Sequence, residues 1–316
     1  MKERRPSLVS LAVFALAVSV AGAGATVGCA AAKPKPDAAY IASAKLAREL
    51  VARGDWERAF SILDELHRQQ PDDAEVLTLR GIVYRERGLY ADAETDLKAA
   101  LASVPASPDA HAALGILYDM QLRPDAEGQH REAVRLAPNN AAYLNNLGFS
   151  LYLRQNFKGA IAEYEKAARL APLSHRVRTN LGFACAATGD LRRAAREFRM
   201  GGTESEAMNN LGFAYERRGE LSNAYDMYLA ALRLDPAAGK ARSNLVHAAA
   251  ALGRPVPTEA QVPVTTAPAP PAPAPAEAPD AVTPAPPAAL PAPLKMDVPV
   301  KSSALDAPSP QLKAKP

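Results

Sequence analysis

Aromatic side chains are scarce in this sequence: phenylalanine, tyrosine and tryptophan make up 6% of its 316 residues, with one tryptophan. Yet 48% of the chain is hydrophobic, much of it alanine. Small side chains let backbones approach closely, so this composition suits helix packed on helix and excludes a bulky globular centre. Cysteine is nearly absent too. Cys29 and Cys185 are the two present, which rules out a scaffold knit by disulfides. Charge is close to balanced at +3, and Lys2, Arg4 and Arg5 set against Glu3 account for most of that excess. No stretch gathers basic residues on one face, so nucleic acid is excluded as a partner. The five histidines, His67, His111, His130, His175 and His247, stand singly, with no metal-ligand spacing. Gly-x-Ser-x-Gly, Walker and dinucleotide motifs are missing, and acidic residues are scattered along helices. The chain is therefore expected not to be an enzyme, with no cofactor, no metal and no small-molecule substrate.

What is present begins with an N-terminal leader. Met1–Arg5 is basic, and Leu8–Ala25 is apolar and uncharged, which is the pattern of an export signal. Thr26-Val27-Gly28-Cys29 follows, then Ala30-Ala31-Ala32 and the polar Lys33-Pro34-Lys35-Pro36. This resembles a bacterial lipobox, in which a small residue precedes a cysteine that is acylated and becomes the first residue. Gly28 and Val27 fit, whereas Thr26 stands where an aliphatic residue is usual. Residues 1–28 are read as a lipoprotein-type signal peptide, Cys29 as the lipidation site and 29–39 as a linker. Two other routes suit the same residues: cleavage by ordinary signal peptidase near Ala21–Ala25, or retention of the 18-residue apolar run as a membrane anchor. All three put the body outside the cytoplasm. Ala30 after the cysteine resembles lipoproteins sent to the outer membrane, so an outer-membrane lipoprotein facing the periplasm is expected; the alternative is inner-membrane anchoring. With Cys29 acylated, Cys185 is left unpaired, on an apolar position of the pattern described next.

The chain repeats itself at about 34 residues. Asn145-Asn146-Leu147-Gly148-Phe149 recurs as Thr179-Asn180-Leu181-Gly182-Phe183 and as Asn209-Asn210-Leu211-Gly212-Phe213, with an echo in Ser243-Asn244-Leu245. Ala160, Tyr164, Ala167 and Pro172 match Ala224, Tyr228, Ala231 and Pro236, and upstream Ala93, Leu97, Ala100 and Pro105. This resembles the tetratricopeptide repeat, two antiparallel helices per unit. The register gives repeats at 40–73, 74–107, 108–140, 141–174, 175–204 and 205–238, with a capping helix near 239–253. Small residues at position eight (Gly81, Gly115, Gly148, Gly182, Gly212) and position twenty (Ala59, Ala93, Ala160, Ala194, Ala224) allow close crossing. Gly54, Gly88, Gly189 and Gly219 end first helices, and prolines at 71, 105, 138, 172 and 236 follow second ones. Each hairpin buries its apolar face only by stacking on its neighbours. The expected fold is all-α: a right-handed superhelical solenoid of thirteen helices over 40–253, without strands. Two units depart from the pattern. Leu122-Arg123-Pro124 replaces the glycine turn of the third, and the fifth, of 30 residues, is cut short at Met200-Gly201-Gly202-Thr203, where a local break in curvature is expected.

Tetratricopeptide arrays resemble one another in binding peptides along a concave surface lined by first helices. Position five carries Asn145, Thr179, Asn209 and Ser243; position six Asn146, Asn180, Asn210 and Asn244; position nine Phe149, Phe183 and Phe213. Carboxamides offer donor and acceptor to an extended backbone, and phenylalanines take apolar side chains. These residues are the expected partner-binding site. A second role is open for position six, a bond to the neighbouring helix.

Residues 254–316 hold 18 of the 28 prolines from Pro255 onward, a composition that favours polyproline II and cannot pack a core, so this tail is expected to be disordered. A lipobox followed by six repeats with recurring Asn-Asn-Leu-Gly-Phe resembles the TadD group, tetratricopeptide lipoproteins of tight-adherence (Flp) pilus assembly. That resemblance implies a protein-binding scaffold of the envelope, a pilotin-like factor whose partner is a secretin. An adaptor for peptidoglycan or other envelope enzymes, or a regulatory repeat protein, are the alternatives.

Overall fold

The computed structural model describes residues 36–257. The expected export leader, the expected acylation site Cys29, the linker before residue 36 and the tail beyond residue 257 lie outside them. Thirteen α-helices fill the described residues, and no strand occurs among these. The first helices of the six hairpins are α1 (Ala38–Arg53), α3 (Ala74–Glu86), α5 (Pro108–Met120), α7 (Ala141–Leu153), α9 (His175–Ala187) and α11 (Glu204–Arg217). Their second helices are α2 (Trp56–Gln69), α4 (Tyr90–Ser103), α6 (Ala126–Leu136), α8 (Phe157–Leu170), α10 (Leu191–Gly201) and α12 (Leu221–Leu234). The unpaired α13 (Gly239–Leu252) closes the array. Each unit starts within two residues of the place the sequence register assigned it.

Each helix packs against the next along the chain, and each odd helix also touches the following odd one, whereas no even helix reaches the next even one. Neighbours at two distances on one side and at one distance on the other mean an array that bends. The odd helices form the inner, concave layer and the even helices the outer one.

The position-eight glycines set the depth of each hairpin. An added Cβ at Gly81 would lie 2.7 Å from Leu97, at Gly148 2.7 Å from Tyr164 and at Gly212 2.7 Å from Tyr228. Those partners, sixteen residues on, are each 1% exposed or less. Dispersion between so many close pairs, with transfer of about 25 cal/mol for each Å² of apolar surface buried, holds the two layers together. Cys185 is buried in this core, and burial pushes its thiol up to about 11. Trp56 begins α2 and packs half-buried against the first core cluster.

Turns use a left-handed residue at the end of the first helix. Gly54, Gly88, Gly189, Gly219 and Gly253 supply it, and in the third and fourth repeats Leu122 (φ 54°) and Gln155 (φ 60°) take the same conformation without being glycine. The third repeat thus keeps the turn geometry that its sequence had abandoned. In the fifth, α10 stops after eleven residues where α8 and α12 run to fourteen. Gly201 ends it against the α9 backbone, since a Cβ there would sit 2.7 Å from that of Arg178. Contact between α9 and α11 continues across the shortened unit.

Candidate functional site

The site helices are fixed at their starts. Asn140 accepts from the backbone N–H of Ala142 and Tyr143 at the head of α7, and Ser174 accepts from Val177 on α9. Thr203 and Glu206 form a reciprocal capping box on α11. Each such cap contributes about 1 kcal/mol and fixes where the following side chains point. The register therefore carries over from helix to helix.

Along the inner layer, positions five, six and nine change character midway. On α3 and α5 they are Thr78, Leu79, Ile82, Ala112, Ala113 and Ile116, all buried. From α7 onward they open: Asn145 is 5% exposed, while Asn146, Phe149, Thr179, Asn180, Phe183, Asn209, Asn210, Phe213 and Asn244 are half-buried. The sequence-expected residues thus share one stretch of concave surface, over α7, α9, α11 and α13. None of these positions from Thr78 to Phe213 carries a charge, in a chain of which 22% is charged.

The carboxamides meet one another. Asn180 Nδ2 donates to Asn145 Oδ1 at 2.9 Å, and Asn244 Nδ2 donates to Asn209 Oδ1 at 3.0 Å. Each rung joins position six of one first helix to position five of the helix before it. The remaining rung, between Asn210 and Thr179, does not form. Asn210 instead accepts a long bond from Asn209 at 3.5 Å, and Thr179 Oγ1 is buried without a partner. It falls at the shortened fifth repeat. By the same register Asn146 follows Ala112, which offers no oxygen to bond. Position six therefore serves as a strut between helices, and each amide that spends one group on its rung keeps another for a ligand.

The phenylalanines form a second row. Phe183 packs edge-on to Phe213 with ring centroids 5.7 Å apart, bridging α9 and α11, and edge-on to the buried Phe198 at 4.9 Å. Phe149 lies against the same core cluster. Half of each ring is thus braced and the other half open, which suits an apolar side chain arriving from the groove.

Sequence reasoning took His130 as an isolated residue, but the structure places it in a buried polar knot. Its Nε2 lies 2.9 Å from Asp119 Oδ2, while Ser150 Oγ donates to Asp119 Oδ1 at 2.8 Å and Arg154 Nη1 approaches the same oxygen at 3.3 Å. The carboxylate sits between the serine and the imidazole, so no base is placed to activate the hydroxyl. The knot ties the third repeat to the fourth. One signal could have exposed it: His130 occupies the place filled by Leu97, Tyr164, Phe198 and Tyr228 in the other units. Among the described residues no group of three or more His, Cys, Asp or Glu could hold a metal ion.

A tetratricopeptide-repeat family model matches residues 44–111 and 78–141, and two further tetratricopeptide-repeat models match 141–174 and 205–237. Among curated proteins the chain is similar to the type IV pilus assembly protein PilF of Pseudomonas aeruginosa. The two are 36% identical over 81 residues, which make up 25% of this chain and 32% of that protein. The match spans about a third of the relative's length. Among solved structures the chain resembles Pseudomonas aeruginosa PilF, with a TM-score of 0.52, 19% identity and coverage of 66% of this chain and 97% of that one. It also resembles PilW, described as a widely conserved type IV pilus biogenesis factor, with a TM-score of 0.57, 16% identity and coverage of 66% and 100%. At these identities the structural likeness is one of fold.

Proposed function

Because the chain belongs to the tetratricopeptide-repeat family, we propose that it is a non-enzymatic scaffold of the bacterial envelope. Its groove over α7, α9 and α11 grips an extended, uncharged segment of an assembly partner. The observation that carries this reading is that positions five, six and nine from α3 to α11 carry no charge, and that they open from α7 onward, where Phe149, Phe183 and Phe213 line them. An apolar segment entering such a groove leaves no charge buried and unpaired, the most costly failure of an interface. The partner's backbone takes hydrogen bonds from amide groups left over by the asparagine rungs, and its side chains settle on the exposed halves of the rings. Recognition is of an extended backbone with apolar anchors.

The likeness to PilF and PilW supports pilus assembly as the setting, and within it the partner is a secretin, with this chain acting as a pilotin-like factor. Acylation at Cys29 holds it on the outer membrane facing the periplasm, residues 29–39 space the solenoid from the bilayer, and the solenoid occupies 40–253. No described helix is long and apolar enough to cross a membrane.

The test is in-cell photo-crosslinking with a benzophenone amino acid at position 183 or 213, and at Arg196, exposed on the outer helix α10, as the control. An envelope protein captured from 183 and 213 but not from 196 is expected, with the secretin as its identity. Capture from the outer face alone overturns the groove. A wild-type chain that carries no acyl group, shown by the same palmitate incorporation as in Cys29→Ser, overturns the anchor.

A further inference from the structure

We infer that the groove has an occupant within its own chain: residues 261–276, Gln-Val-Pro-Val-Thr-Thr-Ala-Pro-Ala-Pro-Pro-Ala-Pro-Ala-Pro-Ala, dock across α11, α9 and α7. The inference rests on the reading of that surface as a peptide groove. Three observations carry it. First, the match of chemistry is close on both sides. The groove has no charge at its three lining positions, and this segment has none over its length, although Glu277 and Asp280 follow it at once. Six prolines favour polyproline II, whose backbone carbonyls have no partner within the chain and whose rings pack on aromatic faces. The groove supplies what that ligand needs, braced phenylalanine rings and side-chain amides.

Second, the end of the described chain is held on the last hairpin, the one that carries Phe213. After α13 the backbone turns at Gly253, and Arg254 and Pro255 are held against α12. Tyr225 Oη donates to Pro255 O at 3.0 Å, and the Arg254 guanidinium lies 5.3 Å from the Tyr225 ring. α12 is the hairpin partner of α11, so the described chain ends against the outer helix of the hairpin whose inner helix carries Phe213.

Third, the lengths agree. Thr258–Ala260 spans about 10 Å when extended. Sixteen residues of polyproline II cover about 50 Å, against about 20 Å between the axes of α7 and α11 at 8–10 Å per neighbouring pair. So short a linker gives an effective concentration on the order of millimolar, enough to keep a weak ligand in place and to make an arriving partner compete with it.

The experiment uses the full chain labelled with 4-fluorophenylalanine, in wild-type form and with Ala267→Glu, Ala272→Glu and Ala274→Glu together. These substitutions put charge into the tail and leave the solenoid untouched. The fluorine signals of Phe149, Phe183 and Phe213 are expected to differ between the two proteins while Phe60 and Phe157 coincide. A synthetic peptide of residues 261–276, added to the substituted chain at millimolar concentration, should return the three signals toward wild type. Superimposable spectra overturn the inference, and so does a difference that grows with protein concentration, because that occupant is the tail of a second copy. If the tail changes nothing but a crosslinked partner still shifts the three signals, the groove stands and only this inference falls. If neither moves them, both fall.

Discussion

Asn180→Ala removes the donor of one inter-helix rung and leaves its acceptor in place. Asn145 is 5% exposed, so its Oδ1 loses the 2.9 Å bond with little water to replace it. An unsatisfied buried group costs about 1–3 kcal/mol. For a domain of 150–250 residues each kcal/mol lowers the melting temperature by about 2–4 °C. The drop expected in a thermal melt followed by circular dichroism is therefore several degrees. Asn145→Ala should cost a similar amount, and the double variant should cost less than the sum, with a coupling of about 0.5–3 kcal/mol for residues in contact. The same logic runs backwards at the missing rung. Thr179→Asn lengthens the side chain facing Asn210 by one group and gives the buried site a partner, for a gain of about 0.5–1.5 kcal/mol. In a solenoid whose units touch only their neighbours, strengthening the junction between the fifth and sixth repeats should also sharpen unfolding. Strict additivity of Asn145→Ala and Asn180→Ala, or a Thr179→Asn chain no more stable than wild type, would refute the claim that these rungs bind the array together.

Other residues make separate claims. Gly148→Ala places a methyl group 2.7 Å from Tyr164, and overpacking of this kind is expected to cost about 1–3 kcal/mol in urea unfolding. Glu94 is held down to about 2 by hydrogen bonds from Lys98, then Arg123 and Tyr118, which outweigh its partial burial. Its folded value lies below the ordinary 4.5, so its contribution is fully present above pH 4.5 and is lost as pH falls toward 2. The stability difference between wild type and Glu94→Gln should shrink across that window and stay constant above it. Cys185, buried and with its thiol raised to about 11, should react with a thiol reagent only on unfolding, measured in a Cys29→Ser chain so that one thiol is counted.

The fold was legible because its determinants are local and repeated. A small residue at position eight facing a large one about sixteen positions on, and a glycine or proline after most helices, were enough to set every hairpin's start within two residues. Where a local rule failed, the backbone held regardless. Leu122 and Gln155 adopt the left-handed turn that the pattern assigns to glycine, since the packing of both flanking helices over-determines the turn between them. The shortened fifth repeat was visible as a deletion, but its outcome was not. Beside the change of curvature expected there, the structure displays a rung lost between Asn210 and Thr179 while α9 and α11 stay in contact.

That these residues share the inner layer was legible in the repeat, and their division of labour less so. Three blocks of Asn-Leu-Gly-Phe look alike in one dimension, and nothing in them tells which amide faces a neighbour and which faces the groove. That distinction lives in the offset between adjacent helices: position six reaches back to position five, 35 residues earlier, at Asn180 and again at Asn244. The same offset explains why the open groove begins at α7. One unit earlier Ala112, Ala113 and Ile116 occupy the three positions, and side chains that small or that apolar let the first helices close over them. Asparagines at the rungs hold neighbouring helices at a fixed spacing, and with that spacing fixed the phenylalanines beside them stay half uncovered. On the proposed reading, specificity for an uncharged ligand needs no residue devoted to it. It follows from positions five, six and nine of α7, α9 and α11, which carry amides, one threonine and half-buried aromatic rings braced from below, and no charge.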